Sequence, residues 1–322
     1  MASGYMGVTL FFALSGFILT VNYRDRLQRL SPRAVGKYAV ARFARIYPLY
    51  LLILVVIIAR LELQGASTRG WLDHVLMIQA WAPHDSEALA FNAPAWSVSV
   101  ELFLYACFPI VIVALVRIRS TRAMAALGLL VLAVMLLLVI AFVVTGASDL
   151  PWNSPASDHR WLYRTPVTRL GDFVLGALAA LAYLDLRDRP RTVRAGGLLA
   201  ATGCVVIVGL MFLPGLLFTA SSWDLAYVVP CIAVIGGLAL APASAFSRLL
   251  SLPVFILLGE ASYAFYLCHQ QLLGYPGLAG FQTSIPREIP VLLAILCIAI
   301  ALHLFVEKPA RTWIRSQSSR WL

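Results

Sequence analysis

The sequence has 322 residues, 61% of them hydrophobic and only 12% charged, with a mean hydropathy of +0.85, far outside the range of soluble domains. That balance excludes an ordinary water-soluble fold and points to an integral membrane protein. The formal charge of +10 does not imply a nucleic-acid partner, because the arginines lie in short stretches between apolar runs, where orientation in the bilayer accounts for them. Five cysteines, at positions 107, 204, 231, 268 and 297, fall inside apolar runs without metal-ligand spacing. They read as small hydrophobes and imply neither a disulfide framework nor a metal.

Apolar runs near 20 residues mark membrane-spanning segments. About nine are present, near 5–21, 46–61, 94–116, 123–144, 167–184, 195–213, 223–241, 253–273 and 289–306. The second is short enough to read also as interfacial. The expected fold is all-α, a polytopic transmembrane helix bundle forming one domain over residues 1–322, with no appended soluble domain and no solenoid repeat.

Orientation follows from the basic residues. The stretch 22–45 reads as a loop holding Arg24, Arg26, Arg29, Arg33, Lys37, Arg42 and Arg45. In every second loop after it the cluster recurs: Arg117, Arg119 and Arg122, then Arg187, Arg189, Arg191 and Arg194, then Arg248, and last Lys308, Arg311, Arg315 and Arg320. The positive-inside rule makes these loops and the C-terminus cytoplasmic and starts the chain outside. The opening MASGYMGVTLFFALSGF has no cleavable-signal pattern. One more span upstream would return the start to the cytoplasm, so a missing first helix is expected, from a misplaced start or a genuine shortening. The source expected is the inner (plasma) membrane of a bacterium.

Two external loops are rich in aromatics. Residues 65–92 include Trp71, His74, Trp81 and His84, and residues 146–165 include Trp152, Asp158, His159 and Trp161. They read as headgroup-level anchors or, together, as a lid or acceptor platform.

The third run carries the most informative group. Glu101 sits about two turns inside an apolar helix, where an ionisable side chain costs roughly 2.5–3.5 kcal/mol and so faces protein or a wet cavity. Ser97, Glu101 and Tyr105 recur every four residues and share one helix face. With the third run entering from outside, Glu101 lies roughly 10 Å below the outer edge, and His269 on the eighth run roughly 6 Å below it. Their similar depth suggests an imidazole acting as general base with the carboxylate orienting it. Equally open is a plain interfacial histidine bonded to a backbone carbonyl. Ser262, Tyr266 and His269 form a second polar stripe. Arg42 and Arg45, one turn apart, can grip a phosphate or diphosphate by charge-assisted forks; as ordinary positive-inside residues they need no ligand. Asp172, Asp224 and Glu260, near run ends, read as end-capping groups. Pro309 is expected to stop the last helix, with Glu307 pairing Lys308 or a nearby arginine at the interface.

Five blocks then carry a resemblance: GVTLFFALSGF at 7–17, ARFARIYPLY at 41–50, PAWSVSVELFLY at 94–105, LGEASYAFYLCH at 258–269 and VEKPAR at 306–311. In this order the chain resembles the membrane acyltransferase-3 family of polytopic O-acyltransferases. The resemblance implies transfer of an acyl group, acetyl or short-chain, from acyl-CoA as co-substrate, with no permanently bound cofactor, to a hydroxyl of a sugar in a glycan or glycosylated small molecule. It associates Arg42 and Arg45 with the donor and places Trp96, Glu101, Tyr105, Tyr263 and His269 around a central cavity, with Ser15 facing the same bundle. Ser97 and Tyr105 are expected to stabilise the oxyanion. The family's further first helix carries an arginine and a histidine, the usual base, and this sequence begins after it, so the base expected is either that histidine, if the start is truncated, or His269, if the start is authentic. The alternatives are a carrier or flippase of a lipid-linked or hydrophobic molecule, with Glu101 and His269 as a proton relay, and a scaffold that has lost catalysis. The sequence leaves the oligomeric state open.

Overall fold

The computed structural model describes residues 5–213, 219–273 and 285–318, and among these there is no β-strand. The helices are α1 (Met6–Leu27), α2 (Pro32–Leu63), α3 (Trp71–Val75), α4 (Asp85–Ala88), α5 (Trp96–Leu115), α6 (Thr121–Val144), α7 (Leu170–Leu186), α8 (Pro190–Met211), α9 (Leu225–Leu240), α10 (Ala245–Leu250), α11 (Pro253–Leu273), α12 (Ile285–Leu302) and α13 (Lys308–Ser318). Wide π-helical turns occupy His159–Arg164 and His303–Glu307.

Each of the nine apolar runs is a helix, but by length and apolarity six helical segments suffice to cross a membrane among the described residues: Met6–Leu27, Pro32–Leu63, Ala93–Leu115, Thr121–Val144, Arg194–Met211 and Ile289–Ser318. The other three runs are α7 and α9, with 17 and 16 residues, and α11, whose 21 residues include Glu260, His269, Gln270 and Gln271. Asp172, Glu260, His269 and Gln271, which dilute α7 and α11, have partners inside the protein. The chain is a multi-pass, all-α membrane protein.

Two expectations are corrected. The stretch 22–45 is not a loop: α1 runs on to Leu27 and α2 begins at Pro32, so only 28–31 connect them. Proline suits the first helical position, where its missing N–H has no partner to lose, and the run AVGKYAVARFA beyond it propagates helix readily. Arg33, Lys37, Arg42 and Arg45 therefore ride on the N-terminal part of a 32-residue helix. At the other end Pro309 does not stop the chain's helix. It lies in the first turn of α13, directly after the π-helical turn, where its lack of an N–H costs little.

Packing divides the chain into two compact units. One comprises residues up to Ser31, Pro83–Asp85 and Val100–Leu249; the other comprises Pro32–Ala82, Ser86–Ser99 and Leu250 onward. In the first, α1 crosses α7 with backbones in contact: a Cβ added at Gly16 would stand 2.0 Å from the Phe173 carbonyl oxygen, and one at Gly176 would stand 1.9 Å from that of Ala13. Close approach through small residues is how helices associate where lipid removes the hydrophobic drive between them. Around that crossing Ala13, Phe17, Ala180 and Ile235 form one apolar cluster, and Leu115, Met124, Ala177, Leu178 and Leu181 another. Of α6 only Met124 and Met135 are buried, as suits a helix whose surface is lipid-compatible all round. Ser120 caps its start, accepting from the Ala123 N–H at 3.4 Å.

In the second unit α2 packs on α13 and α11, and α11 packs on α12. The segment 71–95 is not a loose loop. Tyr50 donates to the His74 carbonyl (2.7 Å) and Tyr47 to that of Val75 (3.1 Å). The Gln79 amide donates to the Tyr50 hydroxyl (3.1 Å) and the Ala95 carbonyl (3.0 Å). From α11, Gln271 donates to the Phe91 carbonyl (2.7 Å), and Asn92 donates to that of Leu267 (2.9 Å). Trp71 and Trp81 stay near half exposed, in keeping with interfacial anchoring.

Candidate active site

The polar stripe on α5 faces inward. Ser97 and Glu101 are 3% exposed and Tyr105 6%, the first two within a stretch, residues 95–101, that is buried throughout. Tyr105 donates its hydroxyl to Glu101 Oε1 in a close hydrogen bond one turn along the helix. Trp96, the first residue of α5, is also buried. In α1, Ser15 is half-buried, next to Gly16 at the α7 crossing. Glu101, Tyr105 and Ser15 belong to the first unit; Ser97, Trp96, Tyr263, His269, Arg42 and Arg45 belong to the second.

On α11 the tyrosine at 266 and the histidine at 269 share a face. Tyr266 donates to the Pro94 carbonyl (3.0 Å), and its hydroxyl lies 2.8 Å from Ser97 Oγ. His269 is half-buried, stacked against Phe265 at 5.7 Å between ring centroids, with Nδ1 2.8 Å from the Tyr266 carbonyl. A carbonyl can only accept, so Nδ1 carries the proton and Nε2 is the ring's basic nitrogen in the neutral form. Ser262, expected on the same stripe, is exposed and bonds back to the Gly259 carbonyl at 2.7 Å.

Arg45 is the centre of the second unit's charged cluster. Its Nη1 donates to Glu307 Oε1 in a close ion pair, and its guanidinium lies 5.8 Å above the Tyr263 ring. Tyr263 in turn donates to the Ile46 carbonyl at 2.7 Å. Glu307 is 1% exposed; it pairs with Arg45, not with Lys308 at the interface. Behind it His303, fully buried, sets Nδ1 3.0 Å from Glu307 Oε2 and Nε2 3.5 Å from Glu260 Oε2. Glu260 is thus drawn to an imidazole and does not cap a helix end. Arg42, half-buried, precedes Arg45 by one turn of α2.

The first unit contains charged groups for which sequence reasoning finds no site role. Arg169 is fully buried, with Nη1 3.1 Å from both Asp172 Oδ2 and Asp224 Oδ1, Nη2 3.2 Å from Thr9 Oγ1, and the faces of Phe12 and Tyr163 at 5.4 and 5.2 Å. Asp172 and Asp224 are therefore ion-pair partners, not end caps, and only the i, i+3 spacing of Arg169 and Asp172 hints at this. Nearby, Arg164 Nε lies 3.0 Å from Asp85 Oδ1, and His159 Nδ1 3.8 Å from Asp85 Oδ2. Burial pulls His159 below the usual histidine range; Asp85 opposes the shift and Arg164 adds to it. Burial also pushes Asp158 above the usual carboxylate range, against the Trp223 indole, which lowers it. The His159 ring meets those of Trp152, Tyr163 and Trp223 at 5.0–5.5 Å between centroids.

No group of three or more His, Cys, Asp and Glu among the described residues is arranged to hold a metal ion. Of the cysteines, Cys231 and Cys268 are buried, Cys107 and Cys204 are half-buried and Cys297 is exposed.

Known proteins are similar to this chain along nearly its whole length. Residues 1–306 match the family model of the acyltransferase domain of type 3. The chain is 30% identical over 328 residues to acyltransferase MdmB of Streptomyces mycarofaciens, covering 95% of this chain and 80% of that protein. It is 29% identical over 315 residues to the exopolysaccharide production protein ExoZ of Rhizobium meliloti, covering 95% and 89%. To the O-acetyltransferase OatA of Staphylococcus aureus it is 23% identical over 335 residues, covering 97% of this chain and 53% of OatA, so it spans about half of that relative. No solved structure matches. With nearly its whole length inside the family model, the chain belongs to the acyltransferase-3 family and is a membrane enzyme that transfers acyl groups.

Proposed function

We propose that this enzyme moves an acetyl or other short acyl group from acyl-CoA to a hydroxyl of a sugar, in a glycan or a glycosylated small molecule. The observation that carries the reading is the buried Ser97, Glu101, Tyr105 stripe on a helix apolar enough to span the bilayer. A carboxylate is kept at such a depth for a task. The functions named for relatives, O-acetylation and exopolysaccharide production, agree with a hydroxyl acceptor.

The proposed chemistry uses His269 as base. Its Nδ1–H is held by the Tyr266 carbonyl, so Nε2 takes the acceptor's hydroxyl proton as oxygen attacks the thioester carbonyl carbon. The tetrahedral oxyanion collapses, the C–S bond breaks, and the imidazolium returns the proton to the departing thiolate. Ser97, whose Oγ lies beside the Tyr266 hydroxyl in the same unit as His269, is the proposed hydroxyl donor to the oxyanion, while Glu101 is the buried carboxylate that accepts the Tyr105 hydrogen bond. Arg45, with Arg42 one turn away, takes the donor's diphosphate from the cytoplasmic side: Glu307 engages one guanidinium nitrogen and a guanidinium has five N–H groups to offer.

The test is release of free CoA from labelled acetyl-CoA by the purified protein in lipid nanodiscs, with a panel of sugar acceptors. Glu101→Gln is expected to lower kcat by about 100-fold with donor binding nearly intact, the scale of removing one preorganised charge or donor. Arg45→Ala is expected to raise the donor KM. If the wild-type protein leaves the thioester intact with every acceptor while transporting a lipid-linked molecule, a carrier role replaces this one.

A further inference from the structure

Arg45 is not a solitary cation waiting for a ligand. It ends a chain of four side chains drawn from three parts of the second unit: Glu260 on α11, His303 and Glu307 on the π-helical turn, and Arg45 on α2. Exposure falls and rises again along it, from 49% for the Glu260 side chain through 0% and 1% for His303 and Glu307 to 27% for Arg45. The two middle members are sealed from solvent, so nothing but their neighbours can set their geometry.

We propose that His303 is a positioning residue for the acyl donor, acting through Glu307 on Arg45. The inference rests on the donor role proposed for Arg45. A carboxylate accepts hydrogen bonds, so the 3.0 Å contact between His303 Nδ1 and Glu307 Oε2 places an N–H on Nδ1. That bond fixes the carboxylate plane. Because one oxygen is held by His303, the other faces Arg45 in a single orientation, and the guanidinium is locked against the Tyr263 ring. Glu260 Oε2 lies 3.5 Å from Nε2 without making a hydrogen bond to it, so the Nδ1 contact with Glu307 is the one that orients the ring. An arginine held this way meets a diphosphate with its rotamer already chosen, so less side-chain entropy is lost on binding. Without His303, Glu307 would be a buried carboxylate with one partner fewer and free to rotate, and Arg45 would move with it.

The decisive experiment measures steady-state kinetics of acyl-CoA consumption in nanodiscs for wild type, His303→Ala, His303→Asn and His303→Gln, each first checked for a single elution peak. His303→Ala is expected to raise the donor KM about tenfold, with kcat and the acceptor KM within about twofold; tenfold corresponds to about 1.4 kcal/mol. His303→Asn, whose amide N–H replaces the one on Nδ1, restores most of the donor KM. His303→Gln, whose amide reaches the Nε2 position instead, does not. In a Glu307→Gln background His303→Ala adds little further, since both act along one path. Wild type that consumes no acyl-CoA overturns the donor reading and this inference with it. Wild type that turns over normally, beside a His303→Ala variant with unchanged donor KM, or one that loses kcat with KM unmoved, overturns this inference alone. Should His303→Ala not fold, the Asn and Gln pair decides: equal donor KM values for the two overturn it.

Discussion

Histidines 74 and 159 lie outside the membrane-spanning helices, and burial lowers the proton affinity of both. The folded protein therefore binds fewer protons than the unfolded chain between the depressed values and the ordinary histidine value of 6.5. Stability rises with pH across that window, and the penalty is complete below it. Asp158 has the opposite sign: held above its ordinary 3.8, it keeps a proton longer when folded, so stability falls as pH climbs from 3.8 through that raised value. We expect the melting temperature of the detergent-solubilised protein to rise between about pH 5 and pH 7, with His159→Gln flattening part of the rise and His74 accounting for part of the remainder. A wild-type profile that falls over that range would contradict this. Arg164→Ala should be costlier than either histidine change, by about 3 kcal/mol, because it leaves Asp85 buried without its cation. Single residues are legible in the sequence where local spacing decides them. Ser97, Glu101 and Tyr105 announce themselves by a four-residue recurrence, and all three are buried. The Arg45 and Glu307 pair spans 262 positions, and no local pattern carries such a distance.

At the level of helices, the α1 and α7 crossing is the most sensitive element. The carbonyl oxygens of Phe173 and Ala13 occupy the space where side chains at Gly16 and Gly176 would go, and backbone, unlike a flexible side chain, cannot move aside without displacing a whole helix. Gly16→Val or Gly176→Val should abolish monodisperse protein in size-exclusion chromatography, while Gly197→Ala, with open space around its Cβ position, should elute and melt like wild type. Among the glycines of α1 and α7, a Cβ at Gly16 or Gly176 would meet backbone and one at Gly171 the Met135 side chain, while Gly7 has open space at its Cβ position. Helix limits are poorly legible in the sequence. The basic residues of 33–45 look like loop in a hydropathy pattern, since charge alone cannot distinguish a solvated helix from a solvated turn; what extends α2 is its content of good helix formers after Pro32. Pro309 misleads for a related reason: a proline breaks a helix interior but sits comfortably in a first turn, and the sequence does not say that a new turn begins at Lys308.

For the molecule as a whole, each of the nine apolar runs is helical, yet polar groups or shortness leave three of them below what a membrane-crossing segment requires in isolation. Those three hold polar side chains with partners inside the protein: Asp172 on α7, Asp224 at the start of α9, and Glu260 and His269 on α11. Composition thus identifies the class of protein and family blocks its chemistry, while the ion-pair clusters that let these helices stay in place emerge only in three dimensions. The alternation of basic segments predicts a topology that can be checked directly. A cysteine introduced at Thr68 or Ser154 should react with an impermeant maleimide added outside intact cells, and one at Arg119 or Ser316 should react only after permeabilisation, in a background lacking the native cysteines. Labelling with the opposite pattern would invert the assignment and put the proposed donor arginines on the wrong side of the bilayer.

The wide turn at His303–Glu307 holds one residue more per hydrogen-bonded ring than ordinary helix does. Each residue of normal winding advances the chain by about 100°. Excising Leu304, Phe305 or Val306 would let the chain close into ordinary helix and shorten the His303–Glu307 separation from four residues to three, resetting the angle at which the two side chains meet. This short stretch behaves as a phase adjuster, so a deletion here should harm the enzyme more than most substitutions within it, even where every neighbouring side chain is kept.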